Sequence, residues 1–480
     1  MLNHLEFSTK VKSMLIAPAG FGKTHAIVEC LKETKSIGKQ LILTHTHAGV
    51  SSIKEKIKRE NILNSSFEVE TISSFAQKYV NAFYTGNDIP SQEVSKLYYP
   101  FIIEKANLLF KLKPIRQIIS NTYKGFFIDE YQDCTLNQHN LITTLSELLP
   151  THILGDFLQG IFGFNGEQLV DLNDEVLMKE FIQSKYELDK PQRWLNGNNA
   201  PLGADLKCIR DLLINKSKID LSKYSSIELN LISESDLYSP FKNYSKQIRN
   251  LFKENNVLLL HPDSTSIYPR LDIIKRFNNA FTLVESIDDK DFYTLSKDAD
   301  LLTKENFRLK LIEICYKLFN KTGVGIWFNE RGLKNKTSII DKAKSLLIDE
   351  QINTLETKIC FIGFSKLLKS IKELTDIKCY RKELFYTFCK ALVEAEIEKI
   401  SVFESMNNKR NMTRRIGKKI YGRCIGTTLL TKGLEFDTVA ILNAHKFDCP
   451  KHLYVALTRA CKRLIIFSNT KELNPYKLNV

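Results

Sequence analysis

The sequence predicts an α/β protein with two parallel-sheet domains, each interrupted by a helical insertion. Three observations predict it. An apolar strand at 12–17 runs into Ala17-Pro18-Ala19-Gly20-Phe21-Gly22-Lys23-Thr24, a glycine-rich turn that opens a helix. A second apolar strand, 125–128, ends in the paired acids Asp129-Glu130. Strand-like and helix-like patterns alternate along the chain, and a second set of strands begins at 257.

The elements follow in order. After the turn, Ala26, Ile27, Cys30 and Leu31 recur at helical spacing, predicting a helix to about Lys35. Gln40 to Thr44 reads as the next strand. Residues 78–122 read as a small helical insertion carrying Tyr98, Tyr99, Phe101 and Phe110. Strands are expected at Gly125 to Ile128 and His152 to Leu154, each followed by acids. Residues 214–250 are polar and weakly patterned, and no element is assigned there. The second set comprises Val257 to Leu260, Ile425 to Leu430, Val439 to Asn443 and Leu464 to Ser468. Helical patterns at Phe307 to Phe319, Ile339 to Leu347 and Lys382 to Ile397 fill the space between. The expected domains are 1–77 with 123–200, and 201–289 with 416–480; the insertions are 78–122 and 290–415.

Composition narrows the class. A chain of 480 residues has room for about two to four domains. The hydrophobic share of 43% and charged share of 26% are those of a soluble protein. A formal net charge of +14 favours a polyanionic partner such as nucleic acid; lysine enrichment from biased base composition is the alternative. Ten cysteines include no CxxC pair, which argues for a reducing compartment and against a zinc module or disulfide frame. No apolar run approaches about 20 residues, and Met14-Leu15-Ile16-Ala17 is too short for a signal peptide. A cytoplasmic protein without membrane association is expected.

The glycine-rich turn is a phosphate-binding loop. Backbone N–H groups at a helix N-terminus form an anion site, and Gly20 and Gly22 let the chain approach phosphate. Lys23 would contact the β and γ phosphates of ATP, and Thr24 would ligate Mg²⁺. A strand ending in two acids is the expected partner of such a loop. Asp129 would hold Mg²⁺ through water, and Glu130 would orient or deprotonate the attacking water.

Further motifs carry a resemblance. Asp129-Glu130-Tyr131-Gln132-Asp133, followed by Thr135 and Gln138, resembles the second motif of UvrD/Rep/PcrA-type superfamily 1 helicases. Gly155 to Phe164 resembles the third motif, Thr44-His45-Thr46-His47-Ala48 motif Ia, and Thr71 to Phe75 the next DNA-contacting segment. Leu188 to Trp194 resembles motif IV. Thr431 to Asp437 and Tyr454 to Ala460 resemble motifs V and VI. The motifs stand in family order and span nearly the whole chain.

The resemblance implies two RecA-like P-loop domains with ATP and Mg²⁺ bound between them. It implies that Gln159 senses the γ-phosphate, that Arg193 and Arg459 reach that phosphate from the second domain, and that Glu435 contacts the ribose. It also implies a DNA track including Thr46, Ser73, Phe75, Phe164 and Lys432. Phe164 stands at the base-stacking position, with core packing as the alternative. The dense basic run Lys409, Arg410, Arg414, Arg415, Lys418, Lys419 and Arg423 is either a phosphate-tracking face or a solvated loop.

The chain also departs from the family. No glutamine motif for adenine precedes the first strand. Gln192 stands where motif IV has an adenine-packing aromatic, with Trp194 two residues on. Asn165 replaces an arginine and Leu429 a histidine. The implied activity is 3′-to-5′ translocation on single-stranded or tailed DNA. The second reading is an ATP- and DNA-responsive switch controlling a partner nuclease, as in compact UvrD-like proteins of anti-phage systems such as Gabija. A P-loop kinase is disfavoured by the separated arginine and acid motifs.

Overall fold

Apolar strands alternating with helices build two sheets, and both lie in the larger of two units. The computed structural model describes residues 2–163, 167–239, 241–285, 290–329, 332–416, 420 and 422–476. The larger unit is Met1–Ile267 with Arg414–Val480, and the smaller is Tyr268–Thr413.

The first sheet contains β1 (Lys12–Ile16), β2 (Gln40–Thr44), β3 (Phe67–Thr71), β4 (Gly125–Ile128), β5 (Thr151–Gly155) and β6 (Lys185–Glu187). Its order is β3-β2-β4-β5-β1-β6, with every pairing parallel. Helix α1 (Lys23–Glu33) follows β1, α2 (His47–Arg59) follows β2, and α3 (Ile72–Phe83) follows β3. Strands β2, β4 and β5 are buried at every position, as expected where helices cover both faces of a parallel sheet. The carboxyl ends of β1, β4 and β5 therefore converge where such sheets bind ligands.

The insertion is helical, as its pattern predicts, in α4 (Ser95–Leu109) and α5 (Lys113–Thr122). Tyr98, Ile102, Ala106 and Phe110 join the core that α3 supplies through Phe75 and Tyr79. Helix α6 (Leu136–Ser146) starts with a capping box: Thr135 Oγ1 accepts from Gln138 N at 3.3 Å, and Gln138 Oε1 accepts from Thr135 N at 3.0 Å. Such a cap contributes about 1 kcal/mol.

A buried histidine gives this sheet a pH signature. His152 on β5 lies 2.8 Å (Nδ1) from Ser13 Oγ and packs its ring against Phe127 and Phe7. Burial pushes its pKa down to about 3. Between there and about pH 6.5 the unfolded chain takes up a proton that the folded chain refuses, so stability falls as pH drops through that window. The slope contributed is at most about 1.4 kcal/mol per pH unit. Denaturant unfolding between pH 7 and 5 should show a shallower pH slope in His152→Phe; an unchanged slope would contradict the assignment.

The second sheet holds, within the larger unit, β7 (Ile227–Leu231), β8 (Val257–Leu260), β9 (Arg423–Gly426), β10 (Phe436–Ile441) and β11 (Ala460–Ser468). They run β9-β8-β10-β11-β7, all parallel. Helix α7 (Ala200–Ile214) precedes β7, and α8 (Pro450–Leu457) precedes β11. One expectation shifts here. The strand expected through Leu430 ends at Gly426, and Thr428–Thr431 is a helical turn. Thr431 Oγ1 donates to the Thr427 carbonyl at 2.8 Å, the local side-chain bonding by which threonine leaves a ladder.

The smaller unit is helical. Its main elements are Lys290–Asp300, Phe307–Leu318, Ile339–Thr357, Phe361–Lys372 and Lys382–Glu398. They enclose one apolar core that includes Phe307, Trp327, Phe364, Phe385 and Phe388. Ile339–Thr357 extends well past the apolar pattern that marked its start.

Candidate active site at the cleft between the two sheets

The phosphate loop leaves β1 beside β5: Ile16 is paired with Gly155, and Ala17 N donates to the Gly155 carbonyl at 3.1 Å. Gly22 caps α1 at φ 100°, and Gly20 has φ 76°. A Cβ on Gly20 would stand 2.8 Å from the Trp194 ring, so this position needs glycine for space as well as conformation. Lys23 is buried, and its Nζ donates to the Ala17 carbonyl at 2.8 Å.

The two acids behind the loop are set apart by their surroundings. Asp129 Oδ2 accepts from Thr24 Oγ1 at 3.5 Å. Burial first, and then the charge of Glu130, raises the Asp129 carboxyl to about 7. Burial also pushes Glu130 upward, but Lys23, then Lys432 and the Gln132 amide, bring it down to about 2. Gln132 Nε2 donates to Glu130 Oε2 at 2.5 Å, and Gln132 Oε1 accepts from Asp156 N at 2.8 Å.

Glu435 and Arg459 of the second sheet close the other side, and Arg193, on the short helix Gln192–Asn196 whose Arg193 N donates to the Gly20 carbonyl of the phosphate loop at 2.9 Å, reaches over to them. Arg459, at the end of the turn that follows α8, donates to the carbonyls of Val455 (3.0 Å) and Leu434 (3.1 Å) and to Gln159 Oε1 (3.3 Å). Arg193 donates from Nη2 to Glu435 Oε1 at 2.9 Å and from Nη1 to the Thr458 carbonyl. Glu435 is also 3.5 Å from Lys56 Nζ, and Arg193 holds its carboxyl well below the usual range. Lys432 reaches across to Asp133 and to the Gln159 carbonyl, with both charged side chains buried.

These two walls enclose a cleft of about 770 Å³ lined by Lys23, Thr24, Asp129, Glu130, Arg193 and Arg459, a size within the usual range for small-molecule sites. Cationic side chains, backbone N–H groups and a helix N-terminus suit a triphosphate. Thr24 and Asp129 supply the one hydroxyl and one carboxylate with which Mg²⁺ is commonly held alongside phosphate oxygens and water. The residues present fit both ATP and Mg²⁺.

Comparison with known proteins agrees with this geometry. A family described as an AAA domain matches residues 5–165, and one described as a viral superfamily 1 RNA helicase core domain matches residues 365–468. Together these matches support a superfamily 1 helicase. It is 23% identical to the Gabija protein GajB of Bacillus cereus (strain VD045), over 96% of this chain and 94% of that protein. It is 29% identical to an ATP-dependent helicase/nuclease subunit from Lactococcus lactis subsp. lactis (strain IL1403), over 29% of this chain and 12% of that protein. It is likewise 29% identical to the RecBCD enzyme subunit RecB of Buchnera aphidicola subsp. Schizaphis graminum (strain Sg), over 31% of this chain and 13% of that protein. The last two alignments take in a small part of much longer proteins.

In the structure, Ala17 to Thr24, Asp129, Glu130, Gln159, Arg193, Glu435 and Arg459 all come to one cleft or its floor. The residues expected on a DNA track separate. Phe75 is a correction: it is fully buried, with Tyr79, Phe110 and Tyr123 around its ring, so the ring has no free face for a base. Lys432 is also corrected, because its ammonium is buried against Asp133 inside the cleft instead of facing a strand. Thr46 lines the cleft, and its Oγ1 caps α2 by accepting from Gly49 N at 2.9 Å. Ser73 is half-buried at the start of α3. Phe164, Lys418 and Lys419 lie outside the described residues, as do the side chains of Arg414 and Arg415. Arg410 leaves the basic run: it is buried, stacked on Tyr293 within the helical unit.

Trp194 does not take over from the missing adenine-packing aromatic. It is buried against Gly20, and its Nε1 donates to the Ala460 carbonyl at 2.9 Å. Sequence reasoning gave no role to Asp156, Gln132, Lys56 or Arg210. The first two stand inside quoted motifs; Arg210 stands in a helix with no motif at all.

Proposed function

We propose that this chain is an ATP-hydrolysing translocase on single-stranded DNA, moving 3′ to 5′, with hydrolysis in the cleft between its two sheets. The observation that carries this reading is that the loop Lys23, the acid Glu130 and Arg193 beside the loop line one cavity together with Arg459 of the second wall. Lys23 and the loop amides bind and orient the triphosphate. Glu130 accepts the proton of the attacking water. Arg193 and Arg459 offset charge as it moves to the leaving oxygen. Mg²⁺ bound at Thr24 and Asp129 supplies further neutralisation of phosphate charge. Because Arg459 belongs to the second wall, cleft closure and hydrolysis are linked, which is how turnover can drive alternating grip on a strand.

A second reading is favoured by one observation, the alignment with a Gabija protein over nearly the full chain. In it, ATP and DNA binding set the state of a partner nuclease, with little unwinding. Two of the similar proteins are named as components of larger enzymes, which supports a partner. No helix among the described residues is long and apolar enough to cross a membrane.

ATP turnover measured with and without single-stranded DNA tests the translocase. Stimulation by DNA, with displacement of a strand from a 3′-tailed but not a 5′-tailed duplex, is expected. Turnover that ignores DNA would remove the motor reading, and DNA-stimulated turnover without displacement favours the switch.

A further inference from the structure

We propose that Arg210 is a positioning residue for ATP hydrolysis, acting through Asp156 to fix the orientation of Gln159 and, through it, of Arg459. The proposal rests on the ATP-hydrolysis reading of the cleft.

Asp156 follows β5 and is fully buried. Its Oδ2 accepts from Ala19 N of the phosphate loop at 3.1 Å and from Gln159 Nε2 at 3.0 Å. Its own N–H donates to Gln132, the residue whose amide holds Glu130. One residue thus ties together the phosphate loop, the expected γ-phosphate sensor and the expected base. Its second carboxylate oxygen, Oδ1, accepts from Arg210 Nη2 at 2.7 Å.

Arg210 arrives from α7, outside every motif. Its guanidinium lies between two aromatic rings, 5.1 Å from Phe157 and 5.7 Å from Tyr454. Tyr454 itself accepts from Ala19 N at 3.2 Å, so that loop amide is shared between Asp156 and the helix leading to Arg459. The Arg210 side chain is almost fully buried, and its Nε has no hydrogen-bond partner among the described residues. Its position is therefore set by Asp156 and the two rings.

The chemistry gives the pair a task. An ionised carboxylate only accepts hydrogen bonds. Facing it, Gln159 must present its NH₂, which turns Oε1 toward the Arg459 guanidinium. A buried carboxylate keeps its charge when a cation or several donors compensate it. Without Arg210, Oδ1 of Asp156 keeps only the Leu158 N–H at 3.4 Å, and the carboxylate loses the contact that fixes its plane. The Gln159 amide then loses its single orientation, and Arg459 loses a fixed acceptor. The phosphate loop keeps its own backbone geometry, so binding should suffer less than turnover.

The test compares full-length wild type, Arg210→Met, Arg210→Lys and Asp156→Asn for DNA-stimulated ATP turnover, for binding of a non-hydrolysable ATP analogue, and for thermal midpoint. Methionine keeps the length that packs between the rings and removes the charge. Arg210→Met should lower kcat by about 10–100-fold, the scale of a displaced catalytic group, with analogue affinity close to wild type. Arg210→Lys should recover part of that loss, and Asp156→Asn should resemble Arg210→Met. Wild-type kcat in Arg210→Met overturns the proposal. So does a loss of kcat that tracks a falling thermal midpoint and is not relieved by lysine; if Arg210→Met does not fold, the kcat of Arg210→Lys decides, and a wild-type value there overturns it as well. A wild-type chain that does not hydrolyse ATP sinks the reading of the cleft itself, a different result from an active wild type with an indifferent Arg210.

Discussion

Replacing Arg459 with alanine is expected to cut ATP turnover by about 10³–10⁵-fold, the range seen when an arginine that neutralises a transferring phosphoryl group is lost. The structure gives the reason for the upper part of that range. The guanidinium is buried, and carbonyls of Val455 and Leu434 with Gln159 Oε1 define its place on three sides. Burial first, and then the neighbouring Arg193, lowers its pKa to about 10. Arg193 is paired with Glu435, whereas Arg459 makes no ion pair with a carboxylate among the described residues and is available to the charge that builds during phosphoryl transfer. Lysine should not rescue the loss, because an ammonium cannot reach three fixed acceptors in the guanidinium plane. Phosphate release in a single turnover, with nucleotide binding followed separately, checks this. A residual rate within about tenfold of wild type, where a general effect on folding would be as good an explanation, would remove Arg459 from the chemistry.

The parts of the molecule that were legible in the sequence share a physical cause. Strands β4 and β8 are buried at every position and read as unbroken apolar runs, and β2 carries one at Leu41–Leu43. The phosphate loop is legible because its glycines, lysine and threonine act within a few residues of each other. Strands β3 and β7 were missed because they lie at sheet edges, where Glu68, Glu70, Glu228 and Asn230 interrupt the apolar pattern. The site was legible as a set of residues but not as a set of contacts. Lys432 and Asp133 each stand in a recognisable motif, yet their pairing depends on how two sheets meet, and no local pattern encodes that. Phe75 misleads in the opposite sense: an aromatic in a segment that resembles a DNA-contacting motif reads as part of the DNA track until the α4–α5 insertion is seen to cover it. Arg210 carried no signal, since one arginine among the apolar positions of α7 is indistinguishable from a surface residue until its partner is placed.

Glu130→Gln should abolish most hydrolysis while leaving the cleft able to bind nucleotide, with kcat falling by about 10²–10⁴-fold, the usual contribution of a general base. Two adjacent acids pose the question of which one takes the proton, and the structure separates them. Asp129 faces Thr24, and its pKa is raised by burial and by its neighbour's charge, whereas Lys23, Lys432 and the Gln132 amide keep Glu130 ionised. The ionised member is the one ready to accept a proton. Its backbone points the same way: Glu130 sits at φ 58° and ψ 42°, a left-handed conformation that is unusual for a residue other than glycine, asparagine or aspartate. Holding it there costs about 1–3 kcal/mol, and that cost aims the carboxylate into the cleft. Glutamine keeps the shape and can still accept from Gln132, so the thermal midpoint should move little. Asp129→Asn should behave differently, weakening the Mg²⁺ dependence of nucleotide binding as well as turnover. If the Glu130→Gln variant turned over at the wild-type rate while Asp129→Asn lost only hydrolysis, the roles of the two acids would have to be exchanged.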